Sequence, residues 1–199
     1  MNRRSFLLMG SLAAVAACGN WGVKYPEAVQ GAQNWKVTRV DVNIPTNLTV
    51  SEDNVLIPNG DITWWETMGP PRRDVVRGIL QEGVAAGASK LNGQQAVVLN
   101  IELVRFHGMS PTAQATLNFS GVHNVRFYAT VVDAATGAAL TEKTLIEADT
   151  AAALGNQLSQ NRANGITETA RVKNTIANTV SGWLGTGTDT RNNFVRLGA

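Results

Sequence analysis

Cysteine is almost missing: there is one in 199 residues. A single thiol closes no internal disulfide and supplies no paired-cysteine zinc site, so a disulfide scaffold and a zinc ribbon are both excluded. Histidine is nearly as scarce, with two, which leaves little imidazole for a metal centre or a general base. Charged residues make up 16%, against about a quarter in ordinary domains. The formal net charge of +2 gives no basic footprint for nucleic acid. No apolar run approaches the ~20 residues that a membrane-spanning helix needs. The 19 glycines follow no period of three, which excludes a collagen-like chain. Against these absences stands an apolar share of 44%, enough for a packed core and too much for intrinsic disorder. The length suits one domain, and two would be cramped.

The chain opens MNRRSFLLMGSLAAVAACGN. Arg3 and Arg4 form a positive start, and residues 6–17 are an apolar stretch of signal-peptide length. Val15-Ala16-Ala17 then put small residues directly before Cys18, the sole cysteine. This resembles a bacterial lipobox. The resemblance implies removal of residues 1–17, acylation of the Cys18 thiol with palmitate-type chains, and a lipid anchor. A lone cysteine is otherwise most often a buried free thiol, but position, arginines and small residues agree on the lipobox. Arg3-Arg4-Ser5-Phe6-Leu7 also resembles the twin-arginine export signal, which implies export in a folded state; a general-secretion signal that carries two arginines is the other reading. Loss of residues 1–17 removes two arginines and no acid, so the mature chain is close to neutral. Electrostatics cannot then hold it at a membrane, whereas each buried acyl methylene contributes about 0.8 kcal/mol. Gly19 stands where enterobacterial lipoproteins retained in the inner membrane carry aspartate, which points to the outer membrane.

Residues 18–34 are rich in Gly, Asn and Gln and read as the lipidated cysteine and a tether. Trp21 and Tyr25 would lie at headgroup level or pack on the domain. Residues 35–185 read as a single α+β domain, and residues 186–199 as a polar tail. Within the domain, residues 35–44 alternate as a strand and Pro45 ends it. Residues 46–60 are a turn-rich connection, and residues 61–66 a short edge strand. Residues 72–90 carry Val76, Ile79, Leu80, Gly83, Val84 and Gly87 at helical spacing; the glycines suggest close approach of that helix to a sheet. Residues 95–107, 113–119, 123–133 and 139–148 read as strands, the last two as a hairpin. Residues 149–165 read as loop. Residues 167–184 give a second helix, capped by Thr167 and followed by Gly185. The expected fold is a mainly antiparallel sheet with two helices on one face, in the order β-α-β-β-β-β-α. Val97, Leu99, Ile101, Leu103, Phe127, Val131, Ile79, Ile176 and Val180 form its expected core.

The chemistry is mostly missing. His107 and His123 flank residues 108–122 and would meet if that excursion folds back, with Glu102 or Asp133 as the nearest carboxylates. No HExxH and no clustered acids accompany them, so no metal is expected. Ser110 or Ser120, a histidine and Asp133 make a triad only on paper, since no GxSxG elbow presents either serine. Residues 182–187 are glycine-rich, but no strand precedes them and no GK[ST] follows, so no nucleotide cofactor is expected. No catalytic residue is assigned. Trp64-Trp65 stands out: adjacent residues on a strand point to opposite faces. One ring can enter the core, and the other is then exposed or covered by a loop; Trp64 and Trp65 are both candidate contacts for a protein partner.

The lipobox, Asp61-Ile62-Thr63-Trp64, the helix after Pro70-Pro71, Arg105-Phe106-His107, and Gly121-Val122-His123 with Arg126-Phe127 resemble an uncharacterised alphaproteobacterial lipoprotein family. That family carries no assigned activity, so the resemblance implies no catalytic residues. The element order is more loosely similar to periplasmic lipoproteins that assist transport or cell-wall machines. The expected function is therefore non-enzymatic: a lipid-tethered periplasmic domain that binds another envelope protein. The alternative is a small-ligand binder or enzyme with a pocket near the two histidines.

Overall fold

The computed structural model describes residues 20–66, 71–117, 121–191 and 195–197. Arg3, Arg4, Cys18 and Ser120 lie outside them. The strands are β1 (Asn20–Lys24), β2 (Trp35–Asn43), β3 (Ile62–Thr63), β4 (Gln95–His107), β5 (Val122–Asp133), β6 (Thr144–Ala148), β7 (Thr150–Ala151) and β8 (Val195–Leu197). The helices are α1 (Arg72–Ala88), α2 (Pro111–Thr116), α3 (Gly155–Ala163) and α4 (Glu168–Trp183). One sheet runs β2-β4-β5-β6-β1-β8, with β3 beside the end of β4 and β7 beside the start of β5. Among the named strands, β2 and β3 lie parallel to their neighbour β4 and the other pairings are antiparallel. The α+β architecture matches the expectation.

Alternation along β4 places Val97, Leu99, Ile101 and Leu103 in the core, beside Phe127, Ala129 and Val131 of β5. Val76, Ile79, Leu80 and Val84 of α1 and Val172, Ile176 and Val180 of α4 close over that face. α1 packs on β2 and β3, and α4 on β6 and β7, so both long helices cover one side. Gly83 and Gly87 of α1 serve the approach of the two helices rather than of a helix to the sheet. A Cβ on Gly87 would stand 2.6 Å from the Ala177 carbonyl oxygen, and one on Gly83 would stand 2.9 Å from Ile176.

Six segments differ from expectation; the edge strand expected over residues 61–66 contracts to β3. Residues 113–119 were expected as a strand, but α2 forms there because Ser110 caps it. Ser110 Oγ accepts from Ala113 N–H, and Pro111 occupies the first turn, where it needs no donor. Residues 149–165 hold β7 and α3 instead of loop. The strand expected over residues 139–148 contracts to β6, with Ala139 in an isolated bridge to Val132. The tether and the tail are both drawn into the domain. β1 pairs with β6 on one edge and β8 on the other. Tyr25 is buried, its hydroxyl donating to Asp189 Oδ1 at 2.9 Å and accepting from Thr190 N–H at 3.1 Å. Short strands that pair only over long sequence distance leave little local signal.

The end of the sheet where β4 stops collects most of the unusual residues. His107 pairs with Asn124 and His123 with Thr150. Gly22 N–H reaches the Asp149 carboxylate at 3.0 Å, so β1 starts at this same end. The start of α4, the residues around α2 and the chain before β3 gather there too. This is the upper end of the sheet.

Candidate functional site

The segment from Asp61 to Glu66 organises the upper end residue by residue. Asp61 Oδ2 accepts from Thr49 N–H and from Thr49 Oγ1, both at 2.8 Å, which pins the preceding loop; these hydrogen bonds hold its carboxyl below the usual range. Ile62 and Thr63 pair with Phe106 and His107. Thr63 Oγ1 then donates to Gly108 O at 2.8 Å. Trp64 turns into the core, edge-on to Phe106 and His123 at 5.3 and 5.2 Å between ring centroids. It is 2% exposed, so the expectation that Trp64 offers contact surface is corrected: its ring is core. Gly108 is glycine because a Cβ there would meet the Trp64 ring at 2.6 Å. Glu66 caps α4, accepting from Glu168 N–H at 2.7 Å and from Thr169 N–H.

Trp65 lies past the end of β3 and stays half-buried. The Arg72 guanidinium lies 5.4 Å from its ring centroid and is held by Glu52 through Nε and Nη2, both at 3.1 Å. Trp65 lines an open cleft of about 420 Å³ with Pro111, Gln114, Leu158 and Arg162. The cleft exists only because α2 and α3 do, and neither helix was expected from the sequence.

Beneath Trp64 lies a buried polar cluster. His123 Nε2 is 2.8 Å from Glu168 Oε2, with both side chains 3% exposed or less. Glu168 also accepts from Ala153 N–H at 3.1 Å and from Arg171 Nη1 at 2.8 Å. Burial pushes the Glu168 carboxyl upward, but the hydrogen bonds from His123, Arg171 and Ala153 outweigh it and set the pKa at about 2. Asp149 is buried nearby and accepts from Asn124 Nδ2 at 2.6 Å and Val125 N–H at 3.0 Å. Burial raises its pKa despite these bonds.

The candidate catalytic groups do not assemble. His107 and His123 fall on opposite faces of the sheet, because His107 shares a register pair with Asn124 and His123 is the next residue along. His107 Nε2 donates to Pro58 O at 3.0 Å, and partial burial lowers its pKa. Asp133 sits at the lower end of β5. Hydrogen bonds from Gln95 and Thr136 hold its carboxyl at about 2. Glu102 pairs with Lys143 on the open face of the sheet, at 2.9 Å. Ser110 Oγ is engaged with Val55 O at 2.6 Å. The Trp65 cleft is lined by neither histidine. Among the described residues, no group of three metal-ligating side chains stands together.

An α+β domain that carries a capped aromatic cleft and a buried His–Glu pair is thus the class of protein in hand. The chain belongs to a family of unknown function, DUF6778, whose model matches residues 35–199. No curated protein matches it. Among solved structures it is similar to a PelC dodecamer from Paraburkholderia phytofirmans, at 13% identity over 81% of this chain and 95% of that one, TM-score 0.39. A Xanthomonas campestris protein of family DUF330 is similar at 10% identity over 80% and 88%, TM-score 0.39. A putative lipoprotein from Caulobacter crescentus is similar at 12% identity over 55% and 83%, TM-score 0.28. Likeness at this distance transfers no function. No helix among the described residues is long and apolar enough to cross a membrane.

Proposed function

We propose that this chain is a non-enzymatic, lipid-anchored periplasmic protein that acts as an accessory, protein-binding component of an envelope assembly. The observation that carries the reading is Cys18. It is the only cysteine, it follows Val15-Ala16-Ala17, and it ends an apolar stretch preceded by Arg3 and Arg4. The ordered domain supports it: β1 begins at Asn20, so only Gly19 separates the domain from that thiol. The candidate contact is the cleft around Trp65. Tryptophan supplies a large apolar face with few rotatable bonds, and such rings dominate protein interfaces. The cleft opens at the upper end, where the chain departs toward Cys18, so the partner it fits is one that itself sits at the bilayer.

Photo-crosslinking in cells from Gln114 and Arg162, on the rim of the cleft, tests the partner. One envelope protein captured from both positions and lost in Trp65→Ala is the expected result. Capture of no protein, together with retention of a small molecule by the purified chain, would overturn the reading in favour of a ligand binder.

A further inference from the structure

The loop between β2 and β3 carries three successive apolar side chains in water. Val55 is 48% exposed, Leu56 44% and Ile57 80%. This exposure is imposed by the backbone. Ser110 Oγ donates to Val55 O at 2.6 Å, Asn54 Oδ1 accepts from Thr112 N–H at 2.8 Å, and Pro58 O accepts from His107 at 3.0 Å. Ser51 and Pro58 on either flank are buried. The tip is pinned on both sides, so its side chains cannot fold back onto the domain. An ordered apolar patch of this kind marks a contact surface.

Its position in the fold indicates what it contacts. The loop is fastened to residues 107–112, at the upper end. Ile166, 43% exposed, precedes the start of α4 at the same end. β1 also starts there, since Gly22 N–H bonds Asp149 beside Asn124. From Asn20 to Cys18 is two residues, which span about 7 Å at most. An acyl chain rooted on Cys18 therefore draws the upper end to the headgroups. The mature chain is close to neutral and has no charge reserve for surface binding, so a second attachment must be apolar.

We infer that the upper end faces the lipid bilayer and that Val55, Leu56 and Ile57 enter the boundary between headgroups and acyl chains. This gives the domain a fixed orientation on its anchor in place of free rotation. The inference rests on the lipid-anchored reading and commits to lipid as the occupant of the tip.

Cysteine chemistry makes it testable. With Cys18 acylated, Ile57→Cys supplies the only free thiol, and its exposure leaves packing untouched. The purified acylated protein carries an environment-sensitive fluorophore at that thiol. It is then bound to vesicles of phosphatidylethanolamine and phosphatidylglycerol. Ala135→Cys, in the exposed turn at the lower end of β5, is the control. A blue shift at position 57, with quenching by nitroxide placed on the acyl chains and neither effect at position 135, is expected. A vesicle-bound protein whose position 57 stays aqueous overturns the inference and leaves the lipoprotein reading standing. Shielding of position 57 in whole envelopes but not on pure lipid also overturns it, assigning the tip to a protein. A mature protein without lipid on Cys18 removes the lipoprotein reading itself, and the inference with it.

Discussion

Gly87→Ala should destabilise the protein, against the ordinary preference of a helix for alanine. Gly87 lies in the last turns of α1 where that helix crosses α4. A Cβ there would stand 2.6 Å from the Ala177 carbonyl oxygen and 2.8 Å from Val180 Cβ. The carbonyl belongs to the backbone of α4, so it cannot swing aside as a flexible side chain would. Relief requires the helices to part, and overpacking of this kind costs about 1–3 kcal/mol. Helix propensity offsets about 1 kcal/mol. Because the obstacle is backbone, the upper part of the overpacking range applies, and the net loss is about 1–2 kcal/mol. At about 2–4 °C per kcal/mol for a chain of this size, melting should fall by about 2–8 °C. Gly78 provides the internal control, since a Cβ there meets nothing within 4 Å. Gly78→Ala should raise stability by about 0.5–1 kcal/mol. Urea unfolding followed by circular dichroism measures both. A Gly87→Ala protein as stable as the parent, or equal losses at the two glycines, would refute the helix-contact account.

Other substitutions probe the remaining links. Leu99→Ala, at a side chain with no exposed surface, should cost about 2–5 kcal/mol in the same urea titration. Glu168→Ala should cost about 3–5 kcal/mol, because His123, Arg171 and the Ala153 N–H lose their shared acceptor inside the core. Glu168 also sets an acid limb. Its folded pKa of about 2 lies below the ordinary 4.5, so its contribution is complete above about pH 4.5 and is lost as the pH falls toward 2. Glu168→Gln should flatten that limb, as read by unfolding midpoints between pH 5 and 2. Ser110→Ala should cost about 1 kcal/mol for the lost cap of α2 and free the loop at Val55, seen as faster hydrogen exchange around residues 54–57.

The core was legible because it follows simple periods. Alternation over residues 95–107 and 123–133 and the stripes of α1 and α4 name the buried side chains without knowledge of pairing. The cap at Thr167 was equally visible: its side chain accepts from Ala170 N–H. What escaped depends on partners distant in sequence. β1 and β8 are short, and each exists only because the other, or β6, is there. The Trp65 cleft needs α2 and α3, which are polar helices with little stripe to read. Ser110-Pro111 did carry a start signal for α2, a cap followed by proline, and the apparent alternation of residues 113–119 hid it. Trp64-Trp65 reads as a pair on one strand, but β3 ends at Thr63, and which ring is buried depends on His123 and Phe106. The role of Glu66 as a cap for a helix a hundred residues away carried no local signal at all.

The proposed function holds this domain at a membrane through one thiol, that of Cys18. Intact-mass and peptide mass spectrometry of the protein purified from its native envelope tests it most directly. The expected result is a mature chain that begins at Cys18 and carries acyl chains there, with residues 1–17 absent. An unmodified Cys18 thiol, or a chain that still begins at Met1, would contradict it.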